Sequence, residues 1–228
     1  MDTVTILRKL ESRPVFRVQD IERLCNCDRL YARQVLHRLK EKGHIRRVTE
    51  NAYTTSDDIY AIASNIVSPS YISFFSASYY LGYTEQIVIS VQVATTVRKK
   101  EIRFEHYKIE FVPMKHFFGY RKVSTPKGDT FVAEDEKLLI DLFLKPQKAG
   151  NFDEIEKVFE ESKIDPAKLT QYLKRVGSQS VTKRVGCLLE KLKGIDLSKE
   201  FSLDNNYVFL NPYSKKGKTP ISKWRVKV

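Results

Sequence analysis

The sequence lacks any apolar run approaching the roughly 20 residues that a membrane-spanning helix needs. Its first ten residues, MDTVTILRKL, also lack the apolar segment and small-residue cleavage site of a secretory signal peptide. We therefore expect a cytoplasmic protein with no membrane partner. Hydrophobic residues make up 42% and charged residues 30% of the 228 positions, which is typical of a globular protein with a sizeable core.

Cysteine is scarce, and its spacing excludes an obvious disulfide framework. The three cysteines are Cys25, Cys27 and Cys187. Cys25 and Cys27 form an isolated C-x-C with no second pair and no nearby histidine, so a buried helix cysteine and its neighbour are favoured over a zinc site. We expect neither a metal nor any other cofactor.

Motifs for catalysis are also missing. The four histidines are dispersed, and the glycines are isolated rather than grouped in a phosphate-binding loop. The best enzymatic candidate is Glu105, Lys108 and Glu110, which could hold Mg²⁺ for phosphodiester cleavage by a nuclease. Polar residues that alternate with Tyr107 and Ile109 on a half-exposed sheet explain the same pattern more simply. We expect no catalytic residues and no enzyme.

Positive charge is what the chain has in excess, with a formal net charge of +12. Residues 28–47 contain seven Lys or Arg against two acidic residues, and no acidic residue follows Asp204. Two separate basic clusters of this kind indicate contact with a polyanion, and nucleic acid is the partner that they fit best.

The first cluster lies in a pattern of helix, short strand, helix, turn, helix and hairpin over residues 1–56. Asp28 is placed to cap the third helix, and Gly43 to end it. Leu30, Val35, Leu36 and Leu39 fall at helical spacing and form its predicted inward stripe. This order predicts a winged helix-turn-helix domain that binds double-stranded DNA. The alternative is a three-helix interaction module with no DNA role.

The polar face of the third helix and its hairpin supplies the predicted DNA contacts. We expect one group of side chains at or near base edges: Tyr31, Arg33, Gln34, His37 and Arg38. We expect a second group on phosphates: Arg29, Lys40, Lys42, Arg46 and Arg47.

Residues 57–228 form the second predicted domain, and the whole chain is predicted to be α+β. We expect a helix from residue 57, an aromatic helix over 70–83, a mainly antiparallel sheet over 86–133, amphipathic helices to 193 and a final strand at 207–210. The aromatic residues of 71–83 are typical of a core. The alternative is a pocket through which a ligand-responsive regulator senses a small molecule.

A possible accessory basic face comes from the C-terminal helices and the basic tail. Its predicted members are Arg175, Lys183, Arg184, Lys215, Lys216 and Lys218. They could serve DNA or an acidic partner, or they could be a solvated helix surface.

Several segments together resemble the AbiEi family of antitoxin–regulators from abortive-infection (type IV toxin–antitoxin) systems. They are GHIRRVTENAYTT, PSYISFFSASYYLGY, VQVATTVRKKEIRF, FFGY, FVAEDEKLLIDLFLKP, YLKRVGSQSVTKRVGCLLE and KWRVKV. The sequence departs from the family at 134–136, where acid stands in place of a frequent proline. The resemblance implies a repressor that binds inverted repeats in its own promoter, as a monomer in solution or a dimer on DNA. It also implies that residues 57–228 are an antitoxin domain that counteracts a cognate AbiEii-type, nucleotidyltransferase-like toxin.

Overall fold

The computed structural model describes every residue except Met1, Lys127, Lys215 and Lys218. The chain forms two compact units, and each consists of several separate segments. Unit 1 contains Met1–Ile72, Ile89–Met114 and Arg121–Val132, whereas unit 2 contains Ser73–Val88, Lys115–Tyr120 and Ala133–Val228. The division of the sequence at residue 56 stays a prediction.

The fold is mixed α+β, and most of its strand pairings are antiparallel. The α-helices are α1 (Thr3–Leu10), α2 (Val18–Cys25), α3 (Arg29–Glu41), α4 (Ile59–Asn65), α5 (Phe74–Tyr80), α6 (Asp135–Leu144), α7 (Phe152–Glu161), α8 (Pro166–Val176) and α9 (Gln179–Lys193). The strands are β1 (Arg46–Thr49), β2 (Ala52–Thr54), β3 (Ser70–Ile72), β4 (Ser90–Thr95), β5 (Ile102–Phe104), β6 (Tyr107–Pro113), β7 (Tyr120–Thr125), β8 (Gly128–Ala133), β9 (Val208–Phe209), β10 (Pro220–Ile221) and β11 (Val226–Lys227).

Helices α1 to α3 pack around one small apolar core in unit 1. Phe16 and Ile21 are completely buried there, together with Leu36 of α3. The ends of the helices follow from local sequence: the Asp28 carboxylate accepts a hydrogen bond from the Tyr31 N–H at 2.8 Å and caps α3. Asn26 takes the left-handed conformation (φ 48°) that ends α2.

A hairpin of β1 and β2 comes directly after α3. The segment between α1 and α2 pairs with it, because the backbones of Phe16 and Tyr53 exchange two hydrogen bonds of 2.9 Å. The rings of these two residues are also stacked, with centroids 6.4 Å apart. The hairpin is therefore attached to the helical core through a third extended segment.

A six-stranded mixed sheet completes unit 1, in the order β5-β6-β4-β3-β8-β7. Strands β3 and β4 are antiparallel, with Ile72 opposite Val93, whereas β4 and β6 are parallel, with Val91 opposite Ile109. The inward residues Val91, Val93 and Ile109 are completely buried. Strand β5 lies at one edge of this sheet, and Glu105 just after it binds Arg46 of the hairpin.

Two details of the predicted secondary structure are wrong. Ser70–Ile72, predicted as the start of the aromatic helix, is strand β3, since β4 and β8 offer it pairing partners on both sides. The strand predicted to begin at Gln86 begins at Ser90, and Ile87 before it is 81% exposed. Both errors concern β-pairing with residues that are distant in sequence.

Helix α6 is the centre of unit 2, and residues 135–143 are buried on all sides of the helix. This burial includes Lys137 and Asp141, whose side chains form an ion pair and are both completely buried. The Ser73 hydroxyl donates a hydrogen bond to the second Asp141 oxygen at 2.8 Å. Charge in a dry core is stable only when it is paired in this way.

The C-terminal residues form a folded strap along α9 rather than a free basic tail. Trp224 is 1% exposed and lies against Gly186, and its indole N–H donates to Glu190 at 2.6 Å. Strand β11 pairs with β10 on one side and β9 on the other. No helix among the described residues is long and apolar enough to cross a bilayer.

Candidate nucleic-acid interface

Helix α3 presents one buried and one exposed face. Ala32, Val35, Leu36 and Leu39 are buried against α1 and α2. The other face is exposed, and the structure places eight of the predicted DNA contacts on it or just beyond the end of the helix: Arg29, Tyr31, Arg33, Gln34, His37, Arg38, Lys40 and Lys42.

Most of these exposed side chains keep their hydrogen-bonding groups available. Within the described part of the chain, no hydrogen bond or ion pair engages the side chains of Arg33, Gln34 or His37, and the same is true of Arg29, Arg38 and Lys42. Lys40 makes only a loose contact of 3.8 Å with Glu41. A helix face with this many unpaired donors suits a polyanionic ligand with acceptor groups along its groove.

Leu30 is the residue whose prediction is wrong in this helix. Its side chain belongs to the exposed face, where it is 69% exposed beside Tyr31, which is 47% exposed. Ala32 takes its place in the buried stripe, since 32, 35, 36 and 39 already complete the helical spacing. A large apolar residue such as Leu30 is readily assigned to the buried stripe, whereas the small Ala32 is easily overlooked.

Arg46 on β1 is occupied within the protein. Its guanidinium forms ion pairs of 2.7 Å with both Asp57 and Glu105 and also donates to the Ser56 carbonyl oxygen. It lies over the Phe104 ring at 5.7 Å. Two carboxylates already neutralise this arginine, so it joins the hairpin to the edge of the six-stranded sheet.

Arg47, the other predicted hairpin contact, remains exposed. Its guanidinium donates at 3.1 Å to the carbonyl oxygens of Thr49 and Glu50 in the hairpin turn. These contacts orient the side chain, and no carboxylate among the described residues compensates its charge. Arg47 therefore remains suited to a phosphate.

A further basic segment in unit 1 is absent from the sequence-based prediction. Arg98, Lys99, Lys100 and Arg103 are exposed before and along edge strand β5. Lys99 lies over the Phe111 ring at 5.8 Å, and the described residues offer Arg98, Lys100 and Arg103 no carboxylate partner. The run Arg98-Lys99-Lys100 is the sequence signal that could have identified this segment. It is short and lies between two predicted strands, so it is easily taken for an ordinary polar loop.

The predicted accessory face is not assembled as expected. Lys183 is 1% exposed, and its ammonium group binds Asp204 and the Asn206 carbonyl oxygen. Arg184 is half-buried and donates to the Phe209 carbonyl oxygen at 2.8 Å. These two side chains hold the C-terminal strap against α9, so their polar groups are not available to a ligand.

The other accessory residues are scattered. Arg175 is exposed and stacks over Phe118, with its guanidinium carbon 4.0 Å from the ring centroid. Lys216 is exposed, whereas Lys215 and Lys218 lie outside the described residues. Further along, Lys223 pairs with Glu190 at 2.6 Å, and its hydrogen bond to Asp196 holds the pKa of that carboxyl at about 2.

The three residues of the nuclease alternative are tied to one another and to neighbours by ion pairs. Lys108 binds Glu101 and Glu110, each at 2.8 Å, and these hydrogen bonds raise the pKa of the lysine. Glu105 is paired with Arg46. Over the part of the chain that the structure describes, no three His, Cys, Asp or Glu side chains are grouped to hold a metal ion.

No protein-family model matches this chain, and no curated protein matches it closely enough to be a relative. The resemblance to the AbiEi family therefore rests on the sequence motifs alone. The geometry of the two units supplies the remaining grounds for a function.

Proposed function

We propose that this protein is a winged-helix transcriptional repressor that inserts α3 into the major groove of double-stranded DNA. The observation that carries the proposal is the exposed face of α3, with Arg33, Gln34, His37 and Arg38 unpaired among the described residues. With its side chains an α-helix is about 10–12 Å across, so α3 fits a major groove about 12 Å wide. Arginine and glutamine are the side chains that read guanine and adenine with paired hydrogen bonds.

The hairpin and its attachment support the winged-helix interpretation. In such a domain the hairpin lies beside the recognition helix, where it reaches the sugar-phosphate backbone. Here β1 and β2 come after α3 with a short connection, and the Phe16–Tyr53 pairing holds the hairpin to the helical core. Arg47 would then contact phosphate, whereas Arg46 would keep its position against Asp57 and Glu105.

Arg33→Ala is expected to weaken binding to the promoter of the protein's own gene by about 1–3 kcal/mol, because the variant cannot make one paired hydrogen-bond contact with a base. Binding to a scrambled duplex should weaken much less. Titration of both labelled duplexes at one fixed salt concentration measures the difference. Arg8→Ala is the matched control, since Arg8 is an exposed arginine on α1. Equal losses on both duplexes would contradict a base-reading role for Arg33.

We propose that the basic segment at β5 adds phosphate contacts beside the hairpin. It belongs to the same unit as α3, and the hairpin is bound to its end through the Arg46–Glu105 ion pair. The double substitution Arg98→Gln/Lys100→Gln should therefore weaken binding to promoter and scrambled duplexes alike. Removal of each phosphate-binding charge should reduce the slope of log K against log salt by about 0.9.

The measurement is a salt titration of the double variant and of Lys163→Gln/Lys199→Gln, which removes two exposed charges from unit 2. The control pair should leave the slope close to that of the original chain. If the two double variants have the same slope, the segment at β5 makes no phosphate contact.

A second activity, neutralisation of a nucleotidyltransferase-like toxin, is proposed from the sequence resemblance alone. The same resemblance implies that the protein binds inverted repeats in its own promoter. A toxin gene of that class overlapping or following this one would support it, and co-expression should then restore growth. Failure of the full chain to protect against that toxin would dispose of the antitoxin role and leave DNA binding untouched.

The two alternatives gain little from the geometry. A small-molecule sensor built on residues 71–83 needs an open apolar pocket, but Tyr71 and Phe74 are completely buried core residues. A Mg²⁺-dependent nuclease needs carboxylates that are free to bind the metal. Here Glu105 forms an ion pair with Arg46, and Glu110 forms one with Lys108. A cleavage assay with Mg²⁺ is the direct test of the second.

A further inference from the structure

Leu30 is an apolar side chain with no role in the core. It lies in the first turn of α3 and is 69% exposed, whereas the other leucines of this helix, Leu36 and Leu39, are 1% and 3% exposed. Its substitution should therefore leave the fold intact. Single exposed apolar residues are common on protein surfaces, so the surroundings of Leu30 decide what it can bind.

The neighbours of Leu30 on the helix surface are the hydrogen-bonding residues of the proposed interface. Residues three, four and seven positions along a helix share one face, and these are Arg33, Gln34 and His37. All three are exposed. Leu30 is thus the apolar member of a row that otherwise carries donors and acceptors, at the N-terminal end of the helix.

Base edges in the major groove offer one apolar group, the methyl group at C5 of a pyrimidine. Recognition helices also contact bases chiefly through their N-terminal residues. We propose that Leu30 contacts the 5-methyl group of a pyrimidine, and so adds a thymine or 5-methylcytosine preference to the sequence that α3 reads. This inference rests on the proposed DNA binding and names one element of its specificity.

The charge around Leu30 favours DNA over an apolar protein surface. Arg29 and Arg33 flank it, and neither has a carboxylate partner among the described residues. An apolar protein partner would have to desolvate these arginines without compensation. In a major groove, a base methyl group can contact the leucine while the phosphates along the groove edges pair with the arginines.

The first experiment selects binding sites from a random duplex library, using the full chain, Leu30→Ala and Val4→Ala. Val4 is the matched control, because it is 66% exposed on α1. We expect the full chain and the control to select the same site. Leu30→Ala should select the same site except at one position, where the requirement for thymine should be lost.

The second experiment removes or adds the methyl group on the DNA. Replacing the contacted thymine by uracil should weaken binding of the full chain about fourfold, the value of one buried methyl group. Leu30→Ala should bind both duplexes equally. If the base at that position is cytosine, 5-methylation should strengthen binding of the full chain by a similar factor, which identifies the other source of the methyl group.

The two proposals fail in different ways. If the full chain selects no sequence, the base-reading function itself is wrong. If the full chain selects a site but Leu30→Ala selects the same site and responds equally to uracil, Leu30 reads no methyl group. A uniform loss of affinity in Leu30→Ala, with the base preference unchanged, would also overturn the inference.

Discussion

Lys137→Met is expected to lower the free energy of unfolding by about 3–5 kcal/mol, because it leaves the buried Asp141 carboxylate without its cation. Both side chains of the pair are completely buried in α6. The Ser73 hydroxyl still donates to Asp141 in the variant, but one uncharged donor does not replace an ammonium group. Urea unfolding followed by circular dichroism measures the change.

Removing both charges should cost far less than removing one. In Lys137→Met/Asp141→Leu no unpaired charge from this pair remains in the core, so we expect most of the stability to return. Lys174→Met is the surface control. Both side chains of the Lys174–Glu200 ion pair are exposed, so loss of this pair should cost less than about 1 kcal/mol. A double variant as unstable as the single one would show that the pair does more than satisfy its own charges.

Trp224→Ala should lower the free energy of unfolding by about 3–5 kcal/mol, since a large buried ring is removed and a cavity remains. Trp224 is 1% exposed, and the variant also lacks the N–H that donates to Glu190. Tyr213→Ala in the same region is the comparison, because Tyr213 is 45% exposed and its substitution removes a single hydrogen bond, to the Pro146 carbonyl oxygen. Thermal unfolding of both variants provides the comparison, and equal effects would mean that the strap is not held by its tryptophan.

The close approach of Trp224 to Gly186 gives a sharper version of the same test. A Cβ atom at Gly186 would lie 2.1 Å from the Trp224 ring, a distance that forces the ring or α9 to move. Gly186→Ala should therefore destabilise the original chain. In the Trp224→Ala background the added methyl group has room, so the effects of the two substitutions should be strongly non-additive.

Local sequence patterns predict most helices of both units, although α5 begins at Phe74 rather than at residue 70. Helix α8, Pro166–Val176, begins after a capping Asp165 and ends at Gly177, and both signals are visible in the sequence. The exposed face of α3 is also predictable, since its charged residues recur at helical spacing. Helical spacing in fact turns Leu30 outward. At about 100° per residue it points roughly 170° from the mean direction of the buried stripe, whereas Ala32 points within about 20° of that direction.

The remaining errors come from contacts between residues that are far apart in sequence. Nothing in residues 70–72 signals a strand until β4 and β8 are present as partners. Lys183 resembles a surface charge until Asp204 and Asn206 are found around its ammonium group. The basic C-terminal residues resemble a tail for the same reason. The packing of Trp224 against α9, which holds them in place, is a contact that local sequence does not show.

The position of β11 has a consequence for the order in which a nascent chain acquires its structure. Strand β11 is the middle strand of its sheet, yet its residues, Val226 and Lys227, are synthesised after those of both neighbours. Until they leave the ribosome, β9 and β10 lack this central strand and α9 exposes the apolar surface that Trp224 will cover. The helices and hairpin of residues 3–54 have their local partners long before that point. Helix α3 is therefore expected to form early, whereas unit 2 closes only when synthesis has passed Lys227.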